Sequence, residues 1–330
     1  MHVQPVETRA DGLVTLATIR EAAAGLVGVA ERTPLVPVPA LTDLVGVPVF
    51  LKLENLQPTG AFKLRGAWTA IRRLPVEERR RGVITYSSGN HGQAVAYAAR
   101  RLGVRAVVVM PETAPAVKVA GVQKWGGEVV FAGTTSDDRR VRAEALIAER
   151  GLTMVPPFNH PDVISGQGTV GLEIVEDLPD VAEVAVPVGG GGLISGIVTA
   201  LAAVRPEARV TAVEPEGAPA MREALRAGKV VRLPETHSIA DGLLPVAVGE
   251  LPLELVLGRV TPVTVSDAAI AEATVWLRGA CDVLAEPSGA ATTAAVRSGA
   301  WRPRGPAVLV VSGGNVEPTD VSRLAERYGS

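Results

Sequence analysis

The sequence predicts an α/β fold, a parallel sheet covered by helices on both faces, on three observations. Short apolar runs alternate with longer helical runs along nearly the whole chain, the pattern of successive strand and helix units. Several apolar runs end directly in polar or glycine-rich loops, where open α/β sheets bind ligands. A length of 330 residues suffices for two domains or one large α/β unit with a sizeable core.

In chain order, residues 15–24 read as a first helix, and Arg32-Thr33-Pro34-Leu35 turns the chain toward an extended segment. Residues 47–53 form the first clear strand. Pro58 and Gly60 then favour a loop over a continuing strand, ahead of a helix-like run at 68–74. Strand 83–86, polar loop 87–92 and alanine-rich helix 93–102, closed by Gly103, make one βα unit. Strand 104–110, helix 114–125, strand 128–132, helix 136–150 with Ser136 as its cap, and strand 153–156 follow. Residues 162–178 are helical in pattern despite Gly166, Gly168 and Gly171, which mark close packing or a helix start near a ligand. Strand 184–188 runs into Gly189-Gly190-Gly191-Gly192 and then helix 193–204, strand 210–214 and helix 218–227. Between 229 and 257 the pattern loosens into a loop-rich connection carrying Ser238-Ile239-Ala240-Asp241-Gly242. Strand 260–265, helix 267–281, strand 283–286, helix 288–297 and strand 307–311 complete the alternation.

Composition excludes several functions. A hydrophobic content of 47%, a net charge of −2 and a charged fraction of 21% describe a soluble globular chain without a large field of either sign, so nucleic acid is not an expected partner. The single cysteine, Cys281, rules out an internal disulfide or a multi-cysteine metal site and fits a reducing cytoplasm. No apolar run reaches membrane-spanning length, and residues 1–7 lack the basic and apolar regions of a secretion signal, so the expected location is the cytoplasm, away from any membrane.

Four stretches carry chemistry. In Thr59-Gly60-Ala61-Phe62-Lys63-Leu64-Arg65-Gly66-Ala67, one of only five lysines stands beside an aromatic ring and between glycines. A lysine becomes a nucleophile only where burial or a neighbouring cation disfavours its charge, and Arg65 is the candidate cation; the alternative is a solvated Lys63 at the start of a helix. The run Gly189 to Gly192, between a strand and a helix, offers free backbone N–H groups and a helix dipole to an anion, or else only a tight turn. It matches neither the dinucleotide fingerprint nor the Walker loop, so a phosphate there belongs to a mononucleotide-sized ligand. The loop Ser87-Ser88-Gly89-Asn90-His91-Gly92 holds two hydroxyls, an amide and an imidazole, and reads either as a ligand loop or as a helix cap with Asn90 in a turn. Ser312-Gly313-Gly314-Asn315 follows an apolar strand and is by itself a turn as readily as a site. Three strand-end loops and a lysine call for a ligand with a phosphate, a polar aromatic ring and an aldehyde, and pyridoxal 5'-phosphate has all three.

On these motifs the chain resembles the threonine dehydratase and serine racemase branch of the fold type II pyridoxal-phosphate-dependent enzymes. TGAFKLRGA (59–67), SSGNHGQA (87–94), SGQGT (165–169), the glycine quartet and SGGNV (312–316) occur in the family's order, and the likeness runs from Arg32-Thr33-Pro34-Leu35 to Asn315. The resemblance implies two open parallel-sheet domains of the tryptophan synthase β-like architecture: a large cofactor-binding domain at 1–73 and 155–330, and a small one at 74–154. It makes Lys63 the lysine that bonds the cofactor and Phe62 a ring packed beside it. Asn90 would bond the pyridine 3-hydroxyl, Gly189, Gly190, Gly191 and Gly192 the phosphate, and Ser312 the pyridine nitrogen. Ser87, Ser88, Gly89 and His91 would bind the substrate carboxylate. Lys63 then removes the Cα proton as general base, and Ser88 stands where racemases protonate Cα from the opposite face.

The activity implied is β-elimination of L-threonine or L-serine to a 2-keto acid and ammonia by a homodimer. The alternatives are a serine or aspartate-type racemase, or a dehydratase of 3-hydroxyaspartate or phenylserine; a relative without turnover conflicts with retention of Lys63 and Ser312. Phe158 and Asn159 border the expected side-chain pocket. Position 61 is Ala where the pattern usually has Ser. The family's divalent-cation site keeps Glu214 but has Ala220 where a carboxylate is expected, and one carboxylate is a poor set for a hard cation. The chain ends soon after Asn315, so a regulatory C-terminal domain and feedback control are not expected.

Overall fold

A computed structural model of the chain describes residues 13–87, 89–114 and 116–328, so the leader at 1–12 and Ser88, to which a catalytic role was assigned, lie outside the described residues. The chain builds two sheets. The first part runs through α1 (Leu16–Leu26), β1 (Leu35–Pro37), α2 (Pro39–Val45), β2 (Val49–Leu53), α3 (Lys63–Arg73) and α4 (Val76–Arg81). A four-stranded unit follows: β3 (Val83–Tyr86), α5 (Asn90–Arg101), β4 (Ala106–Met110), α6 (Ala116–Lys124), β5 (Glu128–Phe131), α7 (Ser136–Arg150) and β6 (Thr153–Met154). Its strands pair in the order β5-β4-β3-β6, all parallel.

The chain then continues through α8 (Pro161–Asp177), β7 (Glu183–Pro187), α9 (Gly192–Val204), β8 (Arg209–Pro215), α10 (Ala220–Ala227), α11 (Glu250–Val256) and β9 (Val260–Val265). It closes with α12 (Asp267–Cys281), α13 (Pro287–Arg297), β10 (Ala307–Val311) and α14 (Pro318–Tyr328). These strands complete a six-stranded sheet, β1-β2-β10-β7-β8-β9. Every residue of β4, β7 and β10 is buried, as expected for parallel strands covered on both faces.

One strand departs from the parallel expectation. β1 pairs antiparallel to β2 at the sheet edge, where Pro37 lacks the N–H that a further neighbour would need. The strand expected at 283–286 does not form. Its backbone donors go elsewhere, Val283 N–H to Leu277 O (3.0 Å) and Glu286 N–H to Gly313 O (3.1 Å), and Pro287 opens α13. α7 is capped by Thr135 rather than Ser136: the Thr135 hydroxyl accepts from Asp138 N–H and the Asp138 side chain returns the bond to the cap backbone. α2, α4, α11 and α14 were not foreseen; α4 (VEERRR) and α2 are too short to show a helical period.

The glycines of α8 serve close packing. A side chain at Gly168 would meet Gly196 O of α9 at 2.9 Å, and one at Gly171 would meet Ile197 Cα at 3.2 Å. α3 lies between α5 and α8, burying Leu64, Ala67, Trp68 and Ile71 against Val95, Ala98 and Val163. This arrangement fixes where the lysine at the first position of α3 stands. Among the described residues no helix is long and apolar enough to cross a membrane.

Candidate active site

Strands β2, β10 and β7 are adjacent and parallel, so the segments leaving their carboxyl ends emerge side by side. Those segments are the lysine motif, Ser312 to Asn315, and the glycine quartet. Backbone bonds join the first two: Phe62 N–H donates to Ser312 O (3.1 Å) and Gly314 N–H to Gly60 O (2.9 Å), and Ala61 bridges Gly313. Asn315 Nδ2 donates to Thr59 O (2.8 Å). β3 of the smaller sheet brings Asn90 across to this cluster, since Asn315 Nδ2 also donates to Asn90 Oδ1 (2.8 Å). Lys63, Asn90 and Ser312 thus converge from three separate parts of the chain.

α3 begins at Lys63, not at residue 68, so the lysine sits in its first turn. Its Nζ donates to Pro157 O (2.8 Å) and lies 5.1 Å from the centre of the Phe62 ring, and among the described residues no carboxylate pairs with it. Burial of the amine lowers its pKa to about 8. Arg65 is not the cause. Its guanidinium is spent on Glu54 (Nε to Oε2, 2.8 Å) and Glu173 (Nη1 to Oε1, 2.6 Å), and it also reaches Thr169 Oγ1 (3.0 Å). Lys52 joins the same cluster through Glu173 Oε2 (2.7 Å) and Thr33 O (2.6 Å).

The glycine quartet leads into α9, whose amino end has no side-chain cap, so its first N–H groups are open to an anion. The four residues are also enclosed by protein. A side chain at Gly190 would overlap the Phe158 ring, one at Gly192 would meet Phe158 Cβ at 2.9 Å, and Gly191 has φ +94° with Pro252 2.8 Å from its would-be Cβ. Phe158 therefore packs on the quartet, while Asn159 Oδ1 turns away to accept from Leu251 N–H (3.1 Å). Ser312 is buried at the end of β10.

In the 87–92 loop, α5 starts at Asn90, so Asn90 and His91 belong to the first helical turn rather than to a loop. Ser87 Oγ accepts from Gly89 N–H (3.3 Å). His91 is buried and its pKa falls to about 3, from burial first and then the nearby Lys63 charge, so the ring is neutral. Its Nε2 donates to Val155 O (3.0 Å), which leaves Nδ1 as a buried lone pair without a partner.

Glu286 was missed from the sequence. It is buried, and its Oε1 accepts from Asn90 Nδ2 (2.7 Å). Burial and then the Asp241 charge push its pKa up to about 7. The only sequence signal was Glu286-Pro287-Ser288-Gly289 ahead of a helix, which reads as an ordinary helix start.

Glu214 lies outside this cluster. Its carboxylate accepts from Met221 N–H (2.6 Å) and Arg222 N–H (2.9 Å) at the start of α10, and burial raises its pKa to about 7. With both oxygens so engaged and Ala220 buried beside it, this donor set does not fit a divalent cation. The convergent segments do fit pyridoxal phosphate: a desolvated lysine without a carboxylate partner, an uncapped helix start, a buried serine and an amide lie on segments that leave neighbouring strand ends.

Comparison with known proteins agrees. The family described as pyridoxal-phosphate dependent enzyme matches residues 28–313. The chain is 41% identical to the L-threonine ammonia-lyase of Thermotoga maritima over 96% of its length and 79% of that protein's. It is 40% identical to a serine racemase of Oryza sativa, over 91% of this chain and 90% of that one. The structure of maize serine racemase superposes with a TM-score of 0.90 at 37% identity, covering 96% of this chain and 98% of the other.

Proposed function

The chain belongs to the pyridoxal-phosphate dependent enzyme family, and within it we propose a β-eliminating ammonia-lyase that converts L-threonine or L-serine to a 2-keto acid and ammonia. The observation that carries this reading is Lys63, an amine buried without a carboxylate partner beside Ser312 and Asn90. Pyridoxal phosphate supplies, when bound, an aldehyde that takes up an amine and a ring that accepts the electron pair released at Cα.

Lys63 holds the group and, once free, takes the proton from substrate Cα; a pKa of about 8 leaves a useful fraction of the amine unprotonated near neutral pH. Gly189, Gly190, Gly191 and Gly192 bind the phosphate with backbone N–H groups at the start of α9, and Phe62 flanks the ring. Asn90 meets the ring oxygen. Ser312 would meet the ring nitrogen with a hydroxyl; unlike a carboxylate it would not hold that nitrogen protonated, a setting that would favour β-elimination over transamination. Ser87, Ser88 and Gly89 would receive the substrate carboxylate; His91, neutral, with its Nε2–H given to Val155 O and its Nδ1 a buried lone pair, has no hydrogen to offer it, against the sequence expectation. Phe158 borders the side-chain pocket as an apolar wall.

The likeness to serine racemases supports a second reading, in which Ser88 returns a proton to the opposite face of Cα. Assaying keto acid and enantiomer formation across threonine, serine, 3-hydroxyaspartate and phenylserine separates the two. Keto acid from threonine or serine is expected, and a panel that yields neither product refutes both. Ser88→Ala should slow racemisation far more than elimination; equal loss would remove Ser88 from that role.

We also infer a division into 1–73 with 155–330 and 74–154, supported by the two separate sheets, and a cytoplasmic homodimer, supported by the single cysteine and the family resemblance. Limited proteolysis and sedimentation test these.

A further inference from the structure

Asn90 has no freedom in how it presents its amide. Asn315 Nδ2 carries two hydrogens, and both are committed to carbonyl oxygens, Thr59 O at 2.8 Å and Asn90 Oδ1 at 2.8 Å. The oxygen side of Asn90 is therefore fixed toward Asn315, and its nitrogen side toward Glu286 Oε1 at 2.7 Å. One hydrogen on Asn90 Nδ2 is left over. Glu286 is itself locked, since its N–H donates to Gly313 O at 3.1 Å and a Cβ on Gly313 would stand 2.6 Å from its carboxylate.

We propose that Glu286 and Asn315 are positioning residues that hold the Asn90 amide in one orientation, so that its remaining N–H points at the ring oxygen of bound pyridoxal phosphate. The proposal rests on the reading that Asn90 meets that oxygen. An amide free to flip would offer the oxygen half the time, which repels an anionic ring oxygen; two flanking partners remove that choice.

Glu286 also brings a pH dependence to the site. The groups facing its carboxylate are Asn90 from α5, Asp241 from the segment before Gly242, Lys118 from α6 and the Asn315 backbone. Asp241 pairs with Lys118 across the cleft, so the net charge beside Glu286 is small and burial dominates, placing its ionisation at about 7. Deprotonation strengthens the bond from Asn90 and so alters the pull on the ring oxygen.

The test follows the visible band of the holoenzyme against pH and the affinity of the apoprotein for pyridoxal phosphate. Glu286→Ala and Asn315→Ala should each shift the band and weaken binding about three- to tenfold, the cost of one hydrogen bond. Glu286→Gln keeps an acceptor for Asn90 and should restore affinity while abolishing the spectral transition near pH 7. A purely structural role would not separate affinity from the pH profile in this way. Should Glu286→Ala fail to fold, Asn315→Ala carries the same expectation. Wild-type spectra and affinities in both alanine variants, or an intact transition in Glu286→Gln, overturn the proposal. If Asn90→Ala itself leaves band and affinity unchanged, the reading beneath the proposal fails instead.

Discussion

Two lysines eleven residues apart in sequence meet opposite fates. Lys52, on β2, is wholly buried and sits in a network with Glu173, Thr33 O, Arg65 and Glu54, in which each charge has an opposite neighbour. Lys63, at the start of α3, has a carbonyl and an aromatic ring for company and no carboxylate. Burial acts on both regions, but its outcome depends on compensation. In the network, burial opposes the Glu54 charge, yet Arg65, with hydrogen bonds from Arg65 and Thr33, outweighs it and holds Glu54 below the usual carboxylate range. In the cleft nothing outweighs it, so Lys63 falls to about 8 and Glu286 rises to about 7. One region pairs its charges and fixes geometry; the other keeps groups that exchange protons near neutral pH.

This contrast can be broken by exchanging which lysine is removed. Lys63→Ala should reduce ammonia release by about a thousandfold or more, as expected for loss of a group that acts as both anchor and base, and should remove the visible band while leaving the unfolding midpoint near wild type. Lys52→Met should do the reverse, keeping the band and lowering stability. A Lys52→Met protein without a band but with unchanged stability would dissolve the distinction.

Arg65→Met leaves the Glu54 charge in the interior without its cation and Glu173 with Lys52 alone, and should cost about 3–5 kcal/mol in denaturant unfolding, the range for breaking a buried pair. A loss below about 1 kcal/mol would show that the network carries little of the fold.

The sign of the pH dependence sharpens the comparison further. Glu54 has a lowered folded pKa, so its contribution to stability is present above the unfolded value of 4.5 and is lost as pH falls. Glu286 and Glu214 have raised folded values of about 7, so their contribution is full below 4.5 and is lost as pH rises through 7. Glu214→Gln should therefore flatten the decline in stability between about pH 5 and 8, read from melting temperatures across that window. An unchanged slope would mean the Glu214 carboxyl titrates as in the unfolded chain.

Much of the site was legible because its parts are local. A lysine between glycines, a glycine run between strand and helix, and Ser312 after an apolar strand each announce themselves within a few residues, and all three follow the carboxyl ends of the adjacent strands β2, β7 and β10. What stayed hidden depends on distance in sequence. Asn90 and Glu286 are 196 residues apart, and Arg65 and Glu173 are 108 apart, so no spacing could pair them. Arg65 looked like the cation that activates Lys63 because it is two residues away, but a helix turns it onto Glu54 and away from the cleft. The strand expected at 283–286 failed for a related reason: its apolar residues fill a core, while its backbone bonds belong to Leu277 and Gly313.

Borohydride reduction of the holoenzyme followed by peptide mapping asks most directly whether the uncompensated lysine is the one that carries the cofactor. The account predicts a single pyridoxyl adduct on Lys63 among the five lysines of the chain. An adduct on Lys52, Lys118, Lys124 or Lys229 would contradict it.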